Sequence, residues 1–356
     1  MGIKGLSQWL KKMIPDVAKE VALKEFSGSR VAVDASVYLY KFISVSNTYN
    51  ANWFDMFLNL IIWLRQNNIR PVFIFDGPPP PQKDRTKHKR SVNKHKLEQK
   101  LLELDDILLE IEKFAHNIDL PTDLQTRVDN ILVESTFDQP RKYIKRKLAD
   151  KRDKIDGQCI HVLPQDTQRI KNLLTYLGLP WFKAESEAEK MCSWLCVHKF
   201  VEAVITTDSD VLAYGAPIYL QNVRAKQETC TLISHKQVIE ALDMSTADFT
   251  DLCIMCGTDY NDNMPGIGPA KAYKLICEYG DLDNIAQTQY DTSILYYKDA
   301  RVLFTLPPTS DFKIPRMKPI QHKNLELLLF KTNSRFRVEN ISMWLYQPKF
   351  TVAEEI

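Results

Sequence analysis

Nowhere does the sequence run to about 18 consecutive apolar residues, so no segment is long enough to cross a bilayer as a helix. A secretory signal peptide is missing too. The seven cysteines are odd in number and scattered, which argues against a disulfide framework and for free thiols in a reducing, intracellular compartment. Cys253-x-x-Cys256 has metal-like spacing but no second Cys or His pair near it. It lies in an apolar, helix-like run with Phe249, Leu252 and Met255 and reads as buried thiols rather than a zinc site. The start, Met1-Gly2-Ile3-Lys4-Gly5-Leu6, carries Leu6 where a myristoylation signal needs Ser or Thr, so lipidation is set aside.

What is present is enough apolar material for a sizeable core: 44% of 356 residues are hydrophobic and 26% charged. The net charge of +2 conceals segregation into blocks. Basic residues dominate from Lys83 to Lys100, acids follow over 103–123, and basic residues return from Arg141 to Lys154.

Short apolar runs at 31–35, 72–75, 203–206 and 217–220 are rich in β-branched and aromatic residues and alternate with helical patterns. They predict an α/β fold with a mostly parallel sheet flanked by helices. Residues 82–158 break this rhythm with no strand signal. There Leu97, Leu101, Leu104, Leu108 and Ile111 lay one apolar stripe along a helix that needs a partner. A helical hairpin packed on itself satisfies that need, and such a hairpin could also move as a gate over an active site.

In parallel sheets, ligands gather at the carboxyl ends of the strands. The residues found there are acidic. Asp34, Asp76, Glu187, Glu189, Asp208, Asp210 and Asp259 fall at strand ends or helix starts, two pairs of them at i, i+2 spacing. One such aspartate is ordinarily a cap. Seven brought together would repel strongly unless cations neutralised them. No His or Cys accompanies these acids, so the donor set suits magnesium rather than zinc, and manganese can substitute. Two such ions about 4 Å apart serve in-line phosphoryl displacement.

The stretches Met1-Gly2-Ile3-Lys4-Gly5-Leu6, Val33-Asp34-Ala35-Ser36, Phe75-Asp76-Gly77-Pro78-Pro79, Glu185-Ser186-Glu187-Ala188-Glu189, Thr207-Asp208-Ser209-Asp210, Gly257-Thr258-Asp259-Tyr260 and Pro265-Gly266-Ile267-Gly268-Pro269 occur in this order. In content and order the sequence resembles the flap endonuclease family of structure-specific 5′ nucleases, over most of the chain except the middle insert. The resemblance implies a PIN-like nuclease fold with a helical arch and a C-terminal helix-two-turn-helix element. The chain then divides into 1–81 and 159–231 as the nuclease core, 82–158 as the arch, and 232–356 as the helix-two-turn-helix and C-terminal helices.

Two magnesium ions are implied, one held mainly by Asp34, Asp76 and Glu187 with Glu189 nearby, the other by Asp208, Asp210 and Asp259. Glu185 is an extra acid outside the pattern. By offset, Lys83 and Arg90 match basic residues beside the scissile phosphate, and Tyr40 matches an aromatic on which a base stacks. Gly2 suits a terminus that fits close to another polymer. Gly266 and Gly268 open a helix whose amides, with Lys271 and Lys274, grip a duplex phosphate, and a potassium ion can sit on backbone carbonyls there.

The partners implied are branched or flapped double-stranded DNA, bound by a monomer on flaps or a dimer on four-way junctions, in a nucleus or at a viral DNA replication site. Two departures stand out: a longer spacer between Asp76 and Glu187 than in short members, and no sliding-clamp motif of the Gln-x-x-aliphatic-x-x-aromatic-aromatic type. Both suit a virus-encoded member. A Holliday-junction resolvase of the same family and a non-catalytic DNA-binding scaffold are the alternatives.

Overall fold

Val31, Ala32 and Val33 are wholly buried, as are Phe73 and Ile74, because a parallel strand covered on both faces has no solvent side. The computed structural model describes residues 2–49, 51–114, 119–136, 138–224, 227–309 and 311–346. The C-terminal stretch where a clamp motif would be sought lies outside them.

Seven strands form one sheet: β1 (Lys19–Ala22), β2 (Arg30–Asp34), β3 (Arg70–Phe75), β4 (Trp181–Lys183), β5 (Ala203–Ile205), β6 (Ile218–Arg224) and β7 (Thr229–Ser234). Their order across the sheet is β1-β7-β6-β5-β2-β3-β4. The five strands from β6 to β4 are parallel, with Val33 opposite both Phe73 and Ile205. The other two add antiparallel at the β6 edge. From β2 the chain goes out to β3 and β4, then returns to lay β5 on the other side of β2. That reversal makes the carboxyl ends of β2 and β5 a topological switch point, where side chains from both halves of the sheet face a common crevice.

The chain divides into two compact units. The first comprises Met1–Leu39, Phe54–Thr86 and Leu163–Ile356; it holds the sheet and its flanking helices. The helix Thr246–Cys256 begins with a capping box, Ser245 and Asp248 bonding each other's amides, and is followed after the connecting residues 257–268 by the helix Pro269–Tyr279. Cys253 and Cys256 are buried in this unit's apolar core, and all seven cysteines are free thiols.

The second unit is Tyr40–Trp53 with Lys87–Val162. Its described residues include no strand. Parts of the helix Asp84–Glu112 and the helices Thr122–Leu132 and Arg141–Asp156 bury Leu104, Ile107, Ile111, Leu124, Val128, Ile144 and Leu148 in a core of their own. Three helices, rather than the expected hairpin, close around the stripe. No helix among the described residues is long and apolar enough to cross a membrane.

Candidate active site

Three neighbouring parallel strands end in acids. Asp34 is the last residue of β2, Asp76 follows β3, and Asp208 lies just beyond β5. Glu187 is the N-cap of the helix Ala188–Val197 with Glu189 in its first turn, and Asp210 opens the helix Asp210–Ala213. Asp259 follows the helix Thr246–Cys256. Six of the seven are buried, from Asp34 at 0% to Asp259 at 8% exposed; Asp76 alone is exposed.

Hydrogen bonds fix three of these carboxylates from the backbone and from Thr206. Asp34 accepts from the Val37 amide at 3.0 Å and the Thr206 hydroxyl at 3.0 Å, the latter bridging β2 and β5 across the switch point. Asp76 accepts from the Ala188 amide at 2.9 Å, at a helix N-terminus whose dipole favours an anion. Its own amide donates to Ser36 at 3.0 Å. Asp208 accepts from the Asp210 amide at 3.0 Å. Gly77 lets β3 end this close to the 184–186 segment, since a Cβ there would lie 2.1 Å from the Ala184 carbonyl oxygen.

Lys83 reaches into the group. Its ammonium contacts Glu187, Asp259 at 3.0 Å and Glu189 at 3.9 Å. Burial works against that charge, but Glu189, Glu187 and Asp259 together hold the ammonium protonated well beyond its ordinary range. The other oxygen of Glu187 accepts from the Tyr260 hydroxyl, which meets the Tyr214 hydroxyl at 2.7 Å.

The acids that remain crowded behave as buried anions must. Burial, then Asp76 and Asp208, push Asp34 up to about 8. Burial and the charges of Glu187 and Asp208 raise Glu189 well above its ordinary value; burial with Asp208 and Asp259 does the same to Asp210, and burial raises Asp208. Asp210 Oδ1 is buried with no hydrogen-bond partner among the described residues.

The structure thus brings all seven expected acids and Lys83 into one electrostatically coupled group. Glu185 is exposed on the segment leading to Glu187. Gly2 has a close neighbour within the chain itself: a Cβ there would lie 2.4 Å from Asp208 Oδ1 and 2.4 Å from Ser209 Oγ. Arg90 is exposed on the part of the helix Asp84–Glu112 that belongs to the second unit, as does Tyr40, 42% exposed on the helix Ala35–Tyr49. Lys271 and Lys274 are exposed on the helix Pro269–Tyr279. With Gly266, Ile267 and Tyr290 they line a separate cleft of about 580 Å3.

Sequence reasoning did not single out Thr206, Ser36, Tyr214, Tyr260 or Gly77. Ser36, Gly77 and Tyr260 lie in the motifs that carry the family resemblance, but nothing in a linear pattern marks them as partners of distant acids.

The chain matches the XPG N-terminal domain over residues 1–97 and the XPG I-region over residues 178–259, the stretches that carry all seven acids. It is 31% identical over 341 residues to a "Probable RAD2-like endonuclease" of Invertebrate iridescent virus 3, covering 85% of each chain. It is 32% identical over 330 residues to flap endonuclease 1 of Lodderomyces elongisporus, covering 86% of this chain and 76% of that one. Among solved structures, flap endonuclease-1 from Methanococcus jannaschii superposes with a TM-score of 0.62 at 22% identity, over 93% of this chain and 96% of that one. The catalytic core of Rad2 in complex with DNA substrate gives 0.61 at 19% identity, over 97% and 99%. These two likenesses are of fold.

Proposed function

The chain belongs to the XPG family of structure-specific DNA nucleases, which includes the flap endonucleases and RAD2-like endonucleases, and on that premise we propose that it is a magnesium-dependent 5′ nuclease hydrolysing one phosphodiester beside the unpaired 5′ strand of a branched duplex. The observation that carries this reading is the convergence of seven carboxylates and one lysine at the switch point of the sheet.

Divalent cations fit the residues present. Every candidate donor is oxygen, the buried Asp210 Oδ1 lacks a protein partner among the described residues, and burial together with mutual repulsion opposes ionisation of Asp210 and Glu189. Asp34, Asp76 and Glu187, with Glu189 nearby, would hold one ion and Asp208, Asp210 and Asp259 the other. Among the described residues no group of three His, Cys, Asp or Glu side chains is placed to hold a metal ion by itself. When bound, the ions supply Lewis acidity at the scissile phosphate.

The chain's own groups do the rest. Lys83 passes from the carboxylates to a non-bridging phosphoryl oxygen, where it offsets developing charge; Arg90 supplies a second positive charge to the same strand. Tyr260 and Thr206 hold Glu187 and Asp34 in place. A water oxygen bonds to phosphorus as the bond from phosphorus to the 3′ oxygen breaks; the water gives up one proton and the departing oxygen takes one up, giving 5′-phosphate and 3′-hydroxyl ends. Gly266, Gly268, Lys271 and Lys274 seat the duplex phosphates, with a potassium ion on the adjoining turn, while Tyr40 stacks a base. These contacts position DNA by shape rather than sequence.

Labelled flap, nick, bubble and four-way substrates test the reading directly. Magnesium-dependent cutting of 5′ flaps is expected, and activity confined to four-way junctions would reassign the substrate to a resolvase. Asp208→Ala is expected to abolish cleavage and retain junction binding; undiminished cutting would overturn the metal assignment.

A further inference from the structure

Adjoining the carboxylate group is a cleft of about 170 Å3 lined by Gln82, Arg85, Tyr260, Tyr296, Asp299 and Leu303. Tyr260 belongs to both, since its hydroxyl donates to Glu187. The cleft therefore shares a wall with the place where the phosphodiester is cut.

Tyr296 is the unusual residue in it. Its backbone is left-handed, φ 44 and ψ 39, just ahead of the helix Tyr297–Phe304. A bulky aromatic residue adopts that conformation only where its surroundings impose it, and such positions gather at binding sites. The consequence is that consecutive tyrosines part company. Tyr297 turns to Asp283, 2.9 Å from its hydroxyl, and carries Arg301 over its ring, whereas Tyr296 remains 48% exposed.

Arg85 is already stacked on Tyr296. Its guanidinium carbon is 4.6 Å from the ring centroid, and it donates to the tyrosine hydroxyl at 2.9 Å. An arginine lying on an exposed aromatic ring offers two things to single-stranded nucleic acid: a flat apolar surface for a base and a fork of donors for a phosphate. Asp299 in the same cleft disfavours a phosphate inside it. The base therefore belongs in the cleft and the phosphate on the side of Arg85.

We propose that Arg85 and Tyr296 form a nucleotide subsite next to the cutting centre, where Tyr296 stacks one unpaired base of the strand being cut and Arg85 pairs with a phosphate of that strand. The subsite deepens the nuclease reading and rests on it. It takes any base, because every base has a π face. It differs from a simple latch between the start of the helix Asp84–Glu112 and the segment before Tyr297, which would need the Arg85 hydrogen bond and be indifferent to DNA.

The test is a cycle between protein and substrate. A 5′-flap duplex is made with a single abasic nucleotide moved through the unpaired positions beside the cut, and binding of the full chain in EDTA is followed by anisotropy. Tyr296→Ala is expected to weaken binding of the intact flap by about tenfold. At one position the abasic flap costs the wild type the same factor and costs Tyr296→Ala nothing further. Tyr296→Phe, which keeps the ring and loses the hydroxyl, is expected to show the wild-type loss at that position.

Losses that add at every position would overturn the subsite. So would a Tyr296→Phe variant that behaves as Tyr296→Ala, since that is the signature of the latch. Cleavage of the intact flap by the wild type in magnesium reports separately on the nuclease reading, so the two can fail independently.

Discussion

Lys83 shows how the carboxylate group is tolerated without metal. Its ammonium stands among Glu187, Glu189 and Asp259, a cation supplied by the chain itself. Lys83→Met removes it from a buried anionic site, and breaking such a pair costs about 3 kcal/mol. Metal-free urea melts are expected to show that loss, and magnesium to recover part of it. Cleavage should fall by about 100- to 1,000-fold if the same ammonium serves the phosphate. Gly2 carries a second residue-scale prediction. Its φ of +89 and the 2.4 Å that would separate a Cβ from Asp208 Oδ1 leave no room for a side chain. Gly2→Ala is expected to slow single-turnover cleavage by about 10- to 100-fold through displacement of Asp208, with an unchanged circular dichroism spectrum. The acids themselves could be read from the sequence because each follows an apolar run or starts a helix. Their partners could not. Thr206 meets Asp34 across 172 positions and Tyr260 meets Glu187 across 73, pairings that exist only after the sheet forms.

At the scale of elements, the middle of the chain separates what periodicity can and cannot predict. The stripe Leu97, Leu101, Leu104, Leu108, Ile111 implied contact along its whole length. Burial is confined to Leu104, Ile107 and Ile111, with Leu97, Leu101 and Leu108 only half-buried. The helix Asp84–Glu112 has 29 residues and its partners only 11 and 16, so they cover it over part of its length. Ile107 entered the core instead because a 3.6-residue turn drifts from a strict seven-residue repeat. Ile107→Ala is expected to cost about 2–4 kcal/mol in a core of so few side chains. Hydrogen exchange should accelerate across the three helices of the second unit while amides of β2 and β3 stay protected; uniform acceleration would show that the unit has no separate core. Strands β1, β4 and β7 escaped the pattern for a related reason. They are mostly only partly buried, unlike β2, β3 and β5, so they lack a continuous apolar run, and their pairing depends on neighbours elsewhere in the chain.

For the whole molecule, function and stability oppose each other at the switch point. Asp34 titrates at about 8 in the folded chain against 3.8 in its ordinary setting. Between those values the folded state binds more protons than the unfolded state, so this group's contribution to stability falls as pH rises through that window. Metal-free protein is expected to melt at a lower temperature at about pH 8 than at about pH 6, and magnesium to raise Tm more at the higher pH, where the carboxylates it favours are otherwise ionised at a cost. Calorimetry at both pH values, with and without magnesium, checks this; equal shifts would mean that the acids do not hold the ion. The sequence alone determined the α/β class, the parallel strands and the identity of the seven acids, because apolar run length, period and the residue that ends a run are local properties. Tertiary structure alone decided that strands β3, β2 and β5 lie side by side, that Lys83 reaches Glu187, Glu189 and Asp259, and that Tyr260 and Tyr296 border one cleft. Those are consequences of chain crossover and packing, and no local pattern encodes which distant segments will become neighbours.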